Sequence, residues 1–350
     1  MTLRFKNKEI NLREKLNELD VKKGTAGLKV LAGETYEDVQ KAVGISGTRR
    51  NLIVNGSFEI WQRGTSFTAI SDDYTADRWA SWVGLPVNVS KHSDGGLLFS
   101  STTDAEERML EYRFEGRDSD NMIGKWLTIS VDMGEATAGG RLHYFVYARN
   151  TAGSWQWNTT PQVLKNNTRN VQTFFIPDDL DLDKVRIRLT TSPEFDDDTW
   201  HIKHVQMEYG KVATPPEYPD YADELARCQR FYYRINYDGG GDSIVSGVSE
   251  VAQGGYYNGV TELLTNVFIP VSMRAPDSAS IAYSSLSHFD IEPYDVQPSG
   301  ISIISTSTAN VIRLLVTDPS SRTVGFTGAL LLDQPTGWFA VDNEMSTTDR

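Results

Sequence analysis

Cysteine is nearly absent from this sequence. Cys228 is the only one in 350 residues, so no intrachain disulfide can form and a reducing folding compartment is expected. Positive charge is also scarce. The chain has 34 Lys and Arg against 47 Asp and Glu, for a net charge of −13, and no lysine follows Lys211. That balance argues against a nucleic-acid binder, which needs a basic stripe to neutralise phosphates, and against docking on anionic lipid. No apolar run approaches the ~18 residues of a membrane-spanning helix. The opening MTLRFKNKEI has no apolar core of a secretory leader, so none is expected. The sequence contains no G-x-S-x-G, no G-x-x-x-x-G-K-[ST] and no H-E-x-x-H. The triplet Gly239–Gly241 follows a helical pattern and has no lysine after it, which makes it a turn rather than a phosphate cradle.

Apolar material is sufficient for packed cores: hydrophobic residues make up 39% and aromatics 11%. Charge divides the chain into three segments. Residues 1–50 carry 11 basic and 7 acidic side chains, residues 51–217 carry 16 and 24, and residues 218–350 carry 7 and 16. Gly24–Gly27, Gly44–Gly47 and the proline-rich ATPPEYPDY at 213–221 are the expected joints. The organisation expected is an arm over 1–47, one domain over 48–217 and a second over 218–350.

In the arm, Leu12, Leu16 and Leu19 fall at helical spacing, as do Tyr36, Val39 and Val43, with Thr35 as a cap and Asp38 three residues on. Helices this short are marginal alone in water, so these residues are candidates for docking onto another chain or copy. The middle segment reads as strand. Leu127, Ile129, Val131 and Met133 alternate, and so do Val185, Ile187 and Leu189. In 199–209 the apolar phase switches between Ile202 and Val205, which predicts a bulge near His204. The last segment opens with a helix capped by Asp220, with Leu225, Cys228, Phe231 and Tyr232 as its apolar stripe. Strands are expected after it at 265–271, 280–286, 310–316, 325–332 and 337–343. The fold class is therefore mainly β: a short helical N-terminal arm, a jelly-roll β-sandwich, then one helix leading into a C-terminal β-sandwich.

Few residues point to chemistry. His201 and His204 are three apart on a strand, on opposite faces unless a bulge intervenes. Asp178, Asp179, Asp181 and Asp183, and the run Asp196, Asp197, Asp198, offer oxygen ligands for calcium, a glycosidase carboxylate pair, or simply a solvated acidic loop. The aromatics are more informative. Trp155 and Trp157 stand in GSWQWNTT, at a spacing that places both on one face if extended. Trp82, Tyr144 and Tyr147 are candidate neighbours, and Asn158 is a neutral hydrogen-bonding partner for hydroxyls. Indole rings offer sugars a flat apolar face and an N–H donor. Sandwich core is the competing role for these rings, and the preferred one for Tyr144 and Trp200.

The stretch NLIVNGSFEIWQRGTSFTAISDDYTADRW (51–79) resembles the opening of a domain of bacteriophage tail-fibre and receptor-binding proteins, itself similar to jelly-roll carbohydrate-binding modules. The residues carrying the resemblance are Asn55, Gly56, Phe58, Glu59, Trp61, Gln62, Arg63, Gly64, Thr65, Tyr74, Asp77, Arg78 and Trp79. VQMEYG (205–210), ATPPEY (213–218), DELARCQRFYYRI (223–235), FIPVSMRAP (268–276) and WFAVDNEM (338–345) are similar to the same group. Related modules hold a structural calcium between an early glutamate, here Glu59, and an acidic strand. Ile202, Lys203, His204 and Val205 stand at the matching place without those carboxylates. No cofactor is expected; Glu59, Asp196, Asp197 and Asp198 are the residues to examine for calcium.

The resemblance implies a virion component, made in the host cytoplasm without a signal peptide. Its N-terminal arm would join other tail proteins, it would assemble as a homotrimer, and it would bind a host-surface glycan or other receptor. Nucleic-acid binding and membrane insertion are not expected. Catalysis is not required, although a structural virion spacer and a glycan depolymerase remain as alternatives.

Overall fold

The computed structural model describes strands at residues 2–5 and 8–11. Between 50 and 344 it describes all residues except 83–85, 101–107, 138–141, 151, 183, 192–198, 237–248, 275–278, 309, 325–326, 333, 335–336 and 343. Thr2–Phe5 and Lys8–Asn11 pair as an antiparallel hairpin, which the sequence reading did not assign. The arm residues Leu12, Leu16, Leu19, Tyr36, Val39 and Val43 lie outside the described residues.

Two six-stranded sheets face each other in the first sandwich. One, the Tyr147 sheet, runs Trp155–Asn158, Leu142–Arg149, Lys184–Thr191, Met109–Arg113 and Trp79–Ser81, with Gln162–Val163 also paired to Leu142–Arg149. The other, the Trp200 sheet, runs Arg169–Phe175, Trp126–Thr137, Thr199–Tyr209, Leu97–Ser100, Val87–Lys91 and Ser66–Ile70. The described ladders are antiparallel, with side chains alternating into one core that draws on residues from Ile53 to Met207. Leu127, Ile129, Val131 and Met133 all point into it, as do Val185, Ile187 and Leu189. Register shifts between Trp200 and Ile202 and between Ile202 and His204 put Trp200, Ile202, Val205 and Met207 into the same core despite their change of phase.

A second core draws on residues from Val251 to Val341. Its larger sheet runs Phe289–Glu292, Thr327–Leu332, Ser249–Tyr257, Glu262–Phe268, Val311–Thr317 and Gly300–Thr308. Its smaller sheet runs Tyr232–Asn236, Trp338–Asp342 and Ser280–Tyr283. Four of these strands, at 232–236, 249–257, 289–292 and 300–308, were not anticipated. Helix α1 (Gly116–Met122) lies in the first sandwich and α2 (Tyr221–Gln229) at the joint between the two cores. As expected, the Asp220 carboxylate caps α2 by accepting from Ala222 N at 2.9 Å. Phe231 and Tyr232, by contrast, lie beyond the helix, Tyr232 opening the next strand.

The motif at 51–79 builds this joint. Asn55 sits at φ 58°, and its side chain donates to the Ile60 and Asp77 carbonyls (2.9 and 3.0 Å) and accepts from Ile60 N (3.0 Å). Its backbone N–H donates to the Glu224 carboxylate of α2. A Cβ on Gly56 would lie 2.2 Å from the Val205 carbonyl oxygen, so only glycine allows this approach. Arg63 reaches Asp342 (3.1 Å), Glu344 (3.7 Å) and Asp77 (3.9 Å), while Arg78 pairs with Glu344 and donates to the Arg113 carbonyl at 2.6 Å. Both guanidiniums also stack on aromatic rings at 3.6 Å, Arg63 on Tyr232 and Arg78 on Phe231. The residues that carry the resemblance therefore weld the first sandwich to α2 and to the chain's last described residues.

Candidate functional site

The outward face of the Tyr147 sheet departs from the usual pattern of a solvated strand face. Along Leu142–Arg149, Tyr144, Val146 and Ala148 enter the core, so Phe145, Tyr147 and Arg149 point outward. Arg186 and Arg188 alternate with the core residues of the next strand, and Glu111 does so on the strand beyond. Arg186 and Arg188 are nevertheless buried, together with Tyr147, Arg149 and Glu111.

Glu111 is the hub. Its carboxylate accepts from Arg113 Nε (2.9 Å), Arg186 Nη1 (3.0 Å), Arg188 Nη2 (3.0 Å) and the Tyr147 hydroxyl. Burial alone would raise its pKa, but the guanidiniums of Arg186, Arg113 and Arg188, with the Tyr147 hydrogen bond, outweigh this and hold it at about 2. Burial, reinforced by the Glu111 charge, pushes the Tyr147 phenol up to about 12.

Aromatic rings stand above this hub. Trp155 lies parallel to Tyr147, with ring centroids 4.1 Å apart and an interplanar angle of 5°. The Arg188 guanidinium lies over Trp82 (4.3 Å), Tyr147 (4.8 Å) and Trp155 (4.9 Å). Trp155 is 44% exposed, so its outer ring surface is open to solvent. The result is a stacked indole platform beside guanidinium donors anchored on Glu111, suited to stacking a flat apolar ring and donating to its polar substituents.

Trp155 and Trp157 do not share a face, contrary to the expectation from their spacing. The register shifts between them: Trp155 pairs with Arg149, but Trp157 pairs with Ala148. Trp157 therefore turns inward, packing on the core and against Phe174 at 5.8 Å. The extra residue is Gln156, and the bulge it makes returns Asn158 to the outward side opposite Tyr147. Of the candidates, Trp155, Trp82, Tyr147 and Asn158 come together here. Tyr144 and Trp200 are core residues, as expected. Sequence reasoning missed Glu111 and the four arginines around it. The Arg-x-Arg alternation at 186–188 was visible, but nothing local showed that a carboxylate from another strand would meet it.

Glu59 is half-buried, and its backbone carbonyl accepts from Lys91 Nζ at 3.2 Å. Asp196, Asp197 and Asp198 lie outside the described residues. Among the described residues, no three His, Cys, Asp or Glu side chains converge to hold a metal ion. His201 stacks on His92 at 3.7 Å, whereas His204 bonds the Glu217 carbonyl at 3.0 Å, so the two histidines form no pair.

No family model matches this sequence, and no curated protein matches it. Among solved structures, it is similar to the CBM22-1 xylan-binding domain of Xyn10C from Paenibacillus barcinonensis, at 13% identity over 42% of this chain and 94% of that one, with a TM-score of 0.30. The tandem CBM22-1–CBM22-2 domain of the same protein matches at 11% identity over 85% of this chain and 98% of that one, TM-score 0.31. The enzymatically active domain of tailspike protein 4 from bacteriophage CBA120 matches at 12% identity, over 46% of this chain but only 21% of that one, TM-score 0.29.

Proposed function

We propose that this chain is a subunit of a phage tail fibre that binds a host-surface glycan on the outward face of the Tyr147 sheet. The observation carrying this reading is the solvent-open Trp155 indole, stacked on buried Tyr147 and flanked by Arg188. An aromatic platform fixed before binding loses little conformational freedom when a sugar ring stacks on it. The tail-fibre role is supported by the motif at 51–79 and its continuation to residue 345. On this reading residues 1–47 attach the chain to the virion. The chain acts as a homotrimer, whose avidity compensates for individually weak sites.

Binding rather than catalysis is the role the hub favours. Glycoside hydrolysis needs a carboxylic acid that is protonated near working pH, in partnership with a second carboxylate. Glu111 is instead held ionised by three guanidiniums.

The test compares adsorption of the isolated chain to host cells with that of two variants. Trp155→Ala is expected to abolish adsorption with the melting temperature nearly unchanged. Trp157→Ala removes a partly buried ring packed on the core and is expected to cost about 3 kcal/mol of stability, the low end for such a truncation. Undiminished adsorption by Trp155→Ala would sink the site.

A further inference from the structure

Building on the glycan reading, we propose that the site selects acidic sugars: a pyranose ring stacks on Trp155 while its carboxylate pairs with Arg149. The cross-strand register makes the two side chains direct neighbours on the outward face, where paired positions stand about 5 Å apart at Cβ. Stacking surface and cation therefore stand side by side on one face.

Arg149 has no carboxylate in direct contact among the described residues; the Glu111 charge reaches it only at longer range. It is only 6% exposed, yet it makes no ion pair among the described residues, and its Nε has no hydrogen-bond partner. Its guanidinium rests 5.9 Å from the ring centroids of both Trp82 and Tyr147. Arg188, whose guanidinium lies over the same Trp82 and Tyr147 rings, also has its Nε buried without a partner. A buried guanidinium is costly unless it is paired. Glu111, the carboxylate whose charge reaches Arg149, is already occupied by Arg113, Arg186 and Arg188. A planar carboxylate from a ligand matches the donor fork of Arg149, and a neutral hydroxyl does not. The net charge of −13 repels polyanions at long range, so recognition must come from this local, preformed cation rather than from steering.

The experiment immobilises oligogalacturonate, hyaluronan oligosaccharides and sialyllactose, each beside its carboxyl-reduced counterpart, and titrates the full chain over them. At least one acidic member is expected to bind ten- to a hundredfold more tightly than its reduced counterpart, the range of a charge-assisted hydrogen bond. The preference should shrink as salt is raised. Arg149→Gln is expected to bring the affinity for that member down to that of its reduced counterpart, without lowering the melting temperature. Arg149→Lys, which keeps the charge but not the fork, should fall between. Equal affinity within every pair overturns the acidic-sugar assignment and leaves the glycan reading to the adsorption test. Absence of binding to every acidic member also overturns it.

Discussion

Glu111 shows how one residue organises a site. It neutralises part of a guanidinium cluster that would otherwise repel itself, and it orients Tyr147, on which Trp155 rests. Its pKa is depressed from an ordinary value of 4.5 to about 2. The sign follows from proton linkage: the unfolded chain binds the proton more readily. The stabilisation is therefore complete above about pH 5 and is lost as pH falls through 4.5 toward 2. Glu111→Gln is expected to cost about 3–5 kcal/mol at pH 7, because three buried guanidiniums lose their partner. Denaturant titrations at pH 7 and pH 3 should show the gap between wild type and variant narrowing at the lower pH. An equal gap at both would show that the ionised carboxylate is not what holds the cluster.

At the scale of the element, the segment 51–79 behaves as a clamp with an irregular backbone. Asn55, Phe58 and Arg78 all have left-handed φ (58°, 56° and 75°), a conformation that costs ordinary L-residues about 1–2 kcal/mol. Phe58 offsets this by packing in the core at 4.9 Å from Trp79, and Arg78 by its pairing with Glu344. Asn55 tolerates the conformation intrinsically and uses its amide to close the turn on Ile60. Asn55→Ala should lose both the hydrogen bonds and the backbone preference, for about 3 kcal/mol in total. Asn55→Gly should lose only the bonds and come out roughly 1 kcal/mol better than alanine. Equal stability of the two variants in urea titration would mean that the left-handed backbone is not part of the cost. Much of this element was legible beforehand as a motif, but its purpose was not. Asn55, Gln62, Arg63 and Asp77 read as a family signature, and only their partners Glu224, Tyr232 and Asp342 show that the signature is a joint.

Over the whole molecule, that joint bridges the two cores and is expected to make them unfold together. Glu344 pairs with both Arg78 and Arg63, and Val54 and Ile60 of the first sandwich meet Cys228 of α2 in a small apolar cluster. Burial pushes Cys228 well above the ordinary thiol range, consistent with a packing rather than a reactive role. Differential scanning calorimetry of the wild type should show one cooperative transition. Glu344→Gln leaves two buried guanidiniums short of charge and is expected to cost about 3–5 kcal/mol, separating the trace into two transitions. A single unshifted transition in the variant would show that the two sandwiches are coupled by other contacts.

Local pattern alone determined the strands whose apolar residues alternate cleanly, such as 127–133 and 185–189, together with the bulge near His204 and the Asp220 cap. These follow from side-chain period and from bonds between near neighbours in the chain, which a linear sequence displays directly. Of the four strands missed in the C-terminal region, the two longest, Ser249–Tyr257 and Gly300–Thr308, contain register shifts and are rich in Ser or Gly, so their alternation is broken. Only the tertiary structure decided the site. The one-residue bulge between Trp155 and Trp157 reverses which face the second indole takes. The partners of Glu111 come from strands up to 77 residues away, brought together by sheet register, and register is set by the burial of the opposite face rather than by anything the site residues contain.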